Sequence, residues 1–202
     1  MASVADLPAD VTKSILYLLD DIDLANACLV NKDFSKRICN DTFWLHKIIN
    51  KYGLTHDEIK RYKKNNTYLA YYLKLNKYIL NNEDAPYNIL FRGAYNGIAD
   101  LVIIALRRGA NLHSHDEEPL RWATQQGHIE VVRLLLEHGA NPHTVSDLPL
   151  RYAIKYGYKD IAELLLKNGA DPNTNNGEPL RLARYRGHTE LIQLLLEYGA
   201  NQ

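Results

Sequence analysis

The second half of the chain repeats its apolar and polar positions every thirty residues. Pro-Leu-Arg begins at Pro119, Pro149 and Pro179, with an alanine at Ala123, Ala153 and Ala183 and a glycine at Gly127, Gly157 and Gly187. Three leucines follow at Leu134 to Leu136, Leu164 to Leu166 and Leu194 to Leu196, and Gly-Ala-Asn or Gly-Ala-Asp starts at Gly109, Gly139, Gly169 and Gly199. Features this different share one period only if the chain is an array of like units. A weaker first copy lies upstream, where Gly97, Asp100, Leu101, Val102, Ile104 and Leu106 occupy the places of Gly127, Glu130, Val131, Val132, Leu134 and Leu136.

Each unit reads as two helices and a loop. Proline at a first helical position costs no hydrogen bond, because that N–H lacks an intrahelical partner anyway, so Pro119, Pro149 and Pro179 start short helices. The glycines at 127, 157 and 187 end them in a left-handed conformation. A second helix starts near Glu130, whose charge suits the positive end of the helix dipole, and runs through Val131, Val132 and the leucines to Gly139. Residues 142–148 return the chain to the next proline as a polar loop. One unit cannot bury its leucines alone, so neighbours must stack into a solenoid. Thr124 and Ile154 follow the repeated alanine where the last unit has Arg184, and a charge there predicts a polar terminal face closing a complete array of four units.

The first half is patterned differently. Val11, Ile15, Leu16 and Leu19 follow Leu7-Pro8 at helical spacing, Asp23 can cap a helix through Leu24, Ala27, Cys28 and Val30, and Asp41 one through Phe43, Trp44, Ile48 and Ile49. Thr55 and Glu58 form a capping-box pattern for a helix from His56. Beyond it, Tyr68, Tyr71, Tyr72, Leu75, Tyr78 and Ile79 share one helix face, and Leu69, Leu73 and Leu80 add a second strip. The expected chain is therefore all-α: a short helical bundle over 1–50, a helical connector over 51–86, and the array over 87–202, with units near 87–116, 117–146, 147–176 and 177–202.

Charge changes this picture little. The 202 residues carry 24 basic and 24 acidic side chains, which argues against a strongly basic nucleic-acid binder and against an acidic disordered chain. By segment the balance is uneven: residues 51–80 hold seven basic and two acidic side chains. Lys60, Arg61, Lys63, Lys64, Lys74 and Lys77 interleave with the connector's tyrosines, and they are read as a solvated helix face rather than a nucleic-acid track, since the array is expected to add no basic stripe. Cys28 and Cys39 form no CxxC pair, so neither a disulfide framework nor a zinc site is expected, and Cys28 reads as an inert core thiol. No apolar run exceeds six residues, as in Leu101 to Leu106, and no secretory leader is legible. An intracellular chain without a membrane span, in cytoplasm or nucleus, is expected.

No phosphate-cradling, nucleophile-elbow or metalloprotease motif is present, so no catalytic residue, cofactor or metal is expected. His113, His115 and His143 sit in loop positions, His113 and His143 thirty apart and so stacked in neighbouring units, and they read as loop surface rather than metal ligands.

At this point the residues carry two resemblances. Gly127-His-Ile-Glu-Val-Val-Arg-Leu-Leu-Leu-Glu-His-Gly-Ala-Asn141 resembles the second helix and exit turn of an ankyrin repeat, and Glu118-Pro-Leu-Arg121 stands where that family has Thr-Pro-Leu-His. The family's period is about 33 residues. The shortfall here lies between Asn111 and Pro119 and at the two later equivalents, which implies a shortened projecting β-hairpin. Glu118, Leu148 and Glu178 replace the capping threonine, implying helix starts weaker by about 1 kcal/mol. Short units with Pro-Leu-Arg look like the divergent ankyrin repeats of large DNA viruses. Upstream, Leu7-Pro8, Ile15-Leu16-Tyr17-Leu18-Leu19, Asp23-Leu24, Cys28-Leu29-Val30-Asn31-Lys32, Phe34 and Asp41 to Trp44 resemble, in order and spacing, an F-box, with Phe34 where many members have Trp and Asn31 where many have Cys. That resemblance implies docking to a Skp-type adaptor and a cullin ligase, with Leu7, Pro8, Val11, Leu16 and Leu24 on the adaptor side and Trp44 in core or rim. The plainer reading is a helical cap with Leu7, Ile15 and Trp44 as its own core.

Two sets of array residues are singled out. Arg121, Arg151 and Arg181 are expected to form a ladder, paired with Glu118, Asp147 and Glu178 in place of the family's histidine network. His128 and His188 are expected to pack and hydrogen-bond as that family's histidines do. Tyr95-Asn96, Gln125-Gln126, Lys155-Tyr156 and Tyr185-Arg186 vary between otherwise regular copies, and the resemblance places them on the concave side, flanked by the loop tips. Tyrosine and arginine suit a protein-binding hot spot, so Tyr95, Gln125, Gln126, Lys155, Tyr156, Tyr185 and Arg186 are the target-binding candidates. The function implied is a substrate-recognition adaptor of an SCF-type ubiquitin ligase. The alternative is a ligase-independent ankyrin-repeat protein that sequesters a host protein, its N-terminal helices acting as a cap.

Overall fold

The computed structural model describes residues 41–63, 67–79 and 85–201, and the chain divides into two compact units, 1–82 and 83–202. The first contributes three described helices: α1 (Asp41–Tyr52), α2 (His56–Lys63) and α3 (Tyr68–Tyr78). Phe43, Trp44, Ile48 and Tyr52 recur at helical spacing on α1 and are buried against Tyr71, Tyr72 and Leu75 of α3. The Trp44 and Tyr72 rings lie 5.1 Å apart, and Phe43 meets Trp44 edge-on at 5.2 Å, so Trp44 belongs to the core. The capping box at α2 forms in both directions. Glu58 accepts the Thr55 N–H at 2.7 Å, and Thr55 Oγ1 accepts the Glu58 N–H at 3.3 Å. Thr67 caps α3 in the same manner, accepting the Ala70 N–H at 3.2 Å. Leu73 is only half-buried, so the described part of the second strip is less enclosed than the first.

The second unit is four helix pairs: α4 (Pro86–Asn96) with α5 (Ala99–Arg107), α6 (Ser114–Gln125) with α7 (Ile129–Glu137), α8 (Thr144–Tyr156) with α9 (Lys159–Lys167), and α10 (Thr174–Arg186) with α11 (Thr189–Glu197). First helices stack on first helices and second on second, which makes two layers with the core between them. Leu120, Ala123, Val131, Val132 and Leu135, with their equivalents in neighbouring units, fill that core. Pro86 opens α4 as the repeated proline opens later units. Each first helix closes on a left-handed glycine; at Gly127 (φ +77) the Gly127 N–H reaches the Thr124 carbonyl and the His128 N–H the Ala123 carbonyl, at 3.1 and 2.9 Å.

That glycine has a second task. The residue after it swings its ring over the glycine of the preceding unit: His128 over Gly97, Tyr158 over Gly127 and His188 over Gly157. A Cβ on Gly127 would sit 2.9 Å from the Tyr158 ring, closer than side chains tolerate. His128 also hydrogen-bonds the Tyr95 carbonyl through Nε2 at 3.0 Å, as expected of it, whereas the buried His188 Nε2 has no partner.

The shortened hairpin is corrected by the structure. Among the described residues there is no strand, and each junction instead runs three residues through the left-handed region: His115, Asp116 and Glu117, then Val145, Ser146 and Asp147, then Asn175, Asn176 and Gly177. Right-handed helix resumes at Glu118, Leu148 and Glu178, which keeps each proline in a first turn where its missing N–H leaves no bond unmade. Left-handed backbone costs about 1–2 kcal/mol per non-glycine residue. Neighbouring units offset it: Thr144 Oγ1 donates to the Asp116 carbonyl at 2.8 Å and Thr174 Oγ1 to the Ser146 carbonyl at 3.2 Å. Too few residues remain to turn a hairpin, and a tight left-handed turn spans the gap. Among the described residues, no helix is long and apolar enough to cross a membrane.

Candidate protein-binding face

The side of the first-helix layer turned away from the second helices is where the variable positions lie. Tyr95, Tyr156 and Tyr185 are 43%, 42% and 84% exposed, Gln126, Lys155 and Arg186 are exposed, and Gln125 is half-buried. The structure places six of the seven target-binding candidates in last turns of first helices and Gln126 at the cap that follows α6. It adds residues that the variable-position argument missed. Phe91, Trp122 and Tyr152 stand one turn before Tyr95, Gln126 and Tyr156, and helical i to i+4 spacing is the signal that would have found them. Phe91 stacks on Tyr95 at 6.0 Å, Tyr95 meets Trp122 at 5.4 Å, and Tyr156 stacks on Tyr158 at 5.9 Å with the Lys155 ammonium 5.3 Å from the Tyr156 centroid. Aromatic rings thus occur on three consecutive units, with Tyr95 and Tyr156 exposed and Phe91, Trp122 and Tyr152 half-buried.

The arginine ladder is corrected in its partners. Arg151 makes a two-pronged pair with Glu178 of the next unit, Nη2 and Nε each 3.0 Å from a carboxylate oxygen. Leu148 holds the equivalent place after Arg121 and cannot accept, so Arg121 donates to the His115 carbonyl of its own junction at 2.9 Å. Arg181 likewise turns to the Asn175 and Asn176 carbonyls. Glu118 accepts instead from the Tyr87 hydroxyl of the preceding unit and from Trp122 Nε1 at 3.3 Å. Asp147 is buried and accepts from His143 Nδ1 and the Asp171 N–H, both at 3.0 Å. Glu117 pairs with His113 in the same way as Asp147 with His143. Those histidines are thereby committed to carboxylates of their own junctions, and among the described residues no three metal-capable side chains converge.

These contacts set the charges. The hydrogen bond from Tyr87 holds the Glu118 carboxyl below the usual carboxylate range despite some burial, with Trp122, His115 and Arg121 adding to it. Burial first, then the bond to Glu118 and its negative charge, push the Tyr87 hydroxyl up to about 12, against the pull of Arg121. For Glu178 burial acts upward, but hydrogen bonds from Asn175 and Arg151 and the charges of Arg151 and Arg181 outweigh it, so the carboxyl titrates low. A carboxyl lowered in the folded state adds stability above its unfolded value near 4.3 and loses it as pH falls through the folded value. Glu178→Gln is expected to flatten the acid limb of the stability profile below about pH 5, at a cost of about 1 kcal/mol at neutral pH. Denaturant titrations between acid and neutral pH check this, and an unchanged acid limb would contradict it.

Arg184 is exposed where Thr124 and Ile154 are fully buried, so the last described unit presents a polar end. A cleft of about 490 Å³ there is lined by Asn173, Asn176, Leu180, Arg181, Arg184 and Asn201. In the second-helix layer Lys159 pairs with Glu190 at 3.2 Å and Lys167 with Glu163 at 2.5 Å. In the first-helix layer of the last two units Arg151 pairs with Glu178, whereas Lys155, Arg184 and Arg186 have no carboxylate partner among the described residues. The array thus carries exposed cations of its own at this end, on its third and fourth units. The adaptor-side candidates Leu7, Pro8, Val11, Leu16 and Leu24 lie outside the described residues.

Comparison with known proteins agrees with this architecture. Residues 61–147, 90–176 and 145–202 match the family model of ankyrin repeats in three overlapping copies, and residues 4–46 match that of the F-box domain. No curated protein matches the chain. Both matched modules are typically non-catalytic and serve interactions: F-box domains bind Skp-type adaptors, and ankyrin repeats bind target proteins.

Proposed function

From a chain that belongs to the ankyrin-repeat family and matches the F-box domain at residues 4–46, we propose a substrate-recognition adaptor of an SCF-type ubiquitin ligase. The observation that carries this reading is the coexistence, in 202 residues, of an F-box match with an array that exposes Tyr95, Tyr156 and Tyr185 on its first helices. In this reading catalysis belongs to the partners. The chain supplies proximity, raising the effective concentration of target lysines near the ligase. Leu7, Pro8, Val11, Leu16 and Leu24 dock on the Skp-type adaptor, and Tyr95, Gln125, Gln126, Lys155, Tyr156, Tyr185 and Arg186 hold the target.

Co-purification tests it. The intact chain is expected to retain a Skp-type adaptor, and Leu7→Asp with Leu16→Asp to abolish retention while circular dichroism stays unchanged. Failure of the intact chain to bind any Skp-type adaptor would overturn the proposal. Target abundance that does not respond to proteasome inhibition would favour sequestration without a ligase.

A further inference from the structure

The binding face is polar along its length, and we infer that it selects an extended protein segment with an aromatic or aliphatic end and a carboxylate-rich end. The inference rests on the target-binding reading above and names the chemistry of the target. At the α4–α6 end, Phe91, Tyr95 and Trp122 form a ring cluster with centroids 5.4–6.4 Å apart. Beside it Glu118 accepts from Tyr87 and Trp122, and α4 and α6 together carry two basic and three acidic side chains, which nearly cancel. That end offers apolar contact area and little net field.

The α8–α10 end is the reverse. Lys155, Arg181, Arg184 and Arg186 are exposed. The only carboxylates of the first-helix layer in these two units are Asp147, which is buried, and Glu178, which is already paired to Arg151. The cations therefore project a positive field uncompensated within their own layer, next to a tyrosine that is 84% exposed at Tyr185. An exposed aromatic ring beside guanidinium groups wins little for the folded chain alone but is what an interface hot spot uses. Complementary potential, rather than added area, then decides which partner docks and in which direction.

Size bounds the ligand. Packed helices lie about 8–10 Å apart, so the steps from α4 to α10 span roughly 24–30 Å. An extended chain covers that with about eight residues at 3.3 Å each. A nucleic acid fits less well, because its evenly charged backbone needs cations along the whole track, and here they stop at the third unit.

Selection of a phage-displayed library of random twelve-residue peptides on the full chain tests the inference. Recovered peptides are expected to be rich in Asp and Glu, with an aromatic or aliphatic pair at one end, and to bind more weakly as salt rises. Arg184→Glu with Arg186→Glu should weaken a recovered peptide at least tenfold and should accept its Lys-for-Glu counterpart. An unchanged thermal melt controls for folding, and Arg186→Ala is the milder second variant. Neutral or basic peptides that bind and are lost on Tyr156→Ala would overturn the acidic segment and leave target binding standing. Indifference of recovered peptides to the charge reversal would do the same. An oligo-dT twelve-mer that displaces them would overturn the inference in favour of nucleic acid, and an array that retains no peptide would overturn both readings.

Discussion

Trp44→Ala is expected to destabilise the first unit by about 3–5 kcal/mol, the range for truncating a buried large aromatic. Trp44 is 1% exposed and touches Phe43 on its own helix and Tyr72 on α3, so its removal empties the contact between α1 and α3. Small domains hold only about 5–15 kcal/mol in total, and a loss of this size populates the unfolded unit measurably. Hydrogen exchange at the amides of α1 and α3 reads the effect, and protection equal to wild type would contradict it. Trp44→Phe keeps a ring in the site and should lose clearly less. Under the adaptor proposal, Trp44→Ala also weakens retention of the Skp-type adaptor, because α1 begins inside the F-box match at residues 4–46.

Gly127→Ala should cost about 2–4 kcal/mol, while the same change at Gly187 costs only about 1–2 kcal/mol. Both glycines have positive φ, +77 and +69, so both alanines bear the left-handed penalty. Only at Gly127 does the new methyl meet a ring, 2.9 Å from Tyr158; nothing lies within 4 Å of the Cβ position at Gly187. Tyr158 can yield only by leaving its place between units. Denaturant midpoints at constant slope give the two values. The Tyr158→Ala background should bring the Gly127 cost down to that of Gly187, since contacting positions are not additive. Equal costs at the two glycines in the wild-type background would sink the account of the ring stack.

The same residues show what was legible in advance. Thr55 and Glu58 were three apart in a pattern with one local solution, and the capping box formed as read. The spacing of Tyr71, Tyr72 and Leu75 puts them on one helix face, and all three are buried. Local signals of this kind depend on neighbours within one helical turn, and the sequence contains those neighbours. The junction turns are not legible, because a chain shortened by a few residues has several ways to close, and the left-handed one is held at the first two junctions by threonines 28 residues away. The partners of Arg121, Arg151 and Arg181 failed for a like reason. Equal spacing promised equal contacts, but Leu148 against Glu178 in the following unit leaves Arg121 on a carbonyl of its own junction, as Arg181 is, and sends Arg151 to a carboxylate.

The amino-acid order alone therefore determined the kind of object the described part of this chain is: its helices, their ends, the repeat and the layer that carries the variable side chains. Each follows from periodicity and from backbone rules that act within a few residues. Tertiary structure alone decided which charges remain unpaired, which rings meet across units and where the binding face changes from aromatic to cationic. Those outcomes depend on which side chain of one unit reaches which acceptor in the next, a competition between distances of a few ångström that no spacing along the chain records.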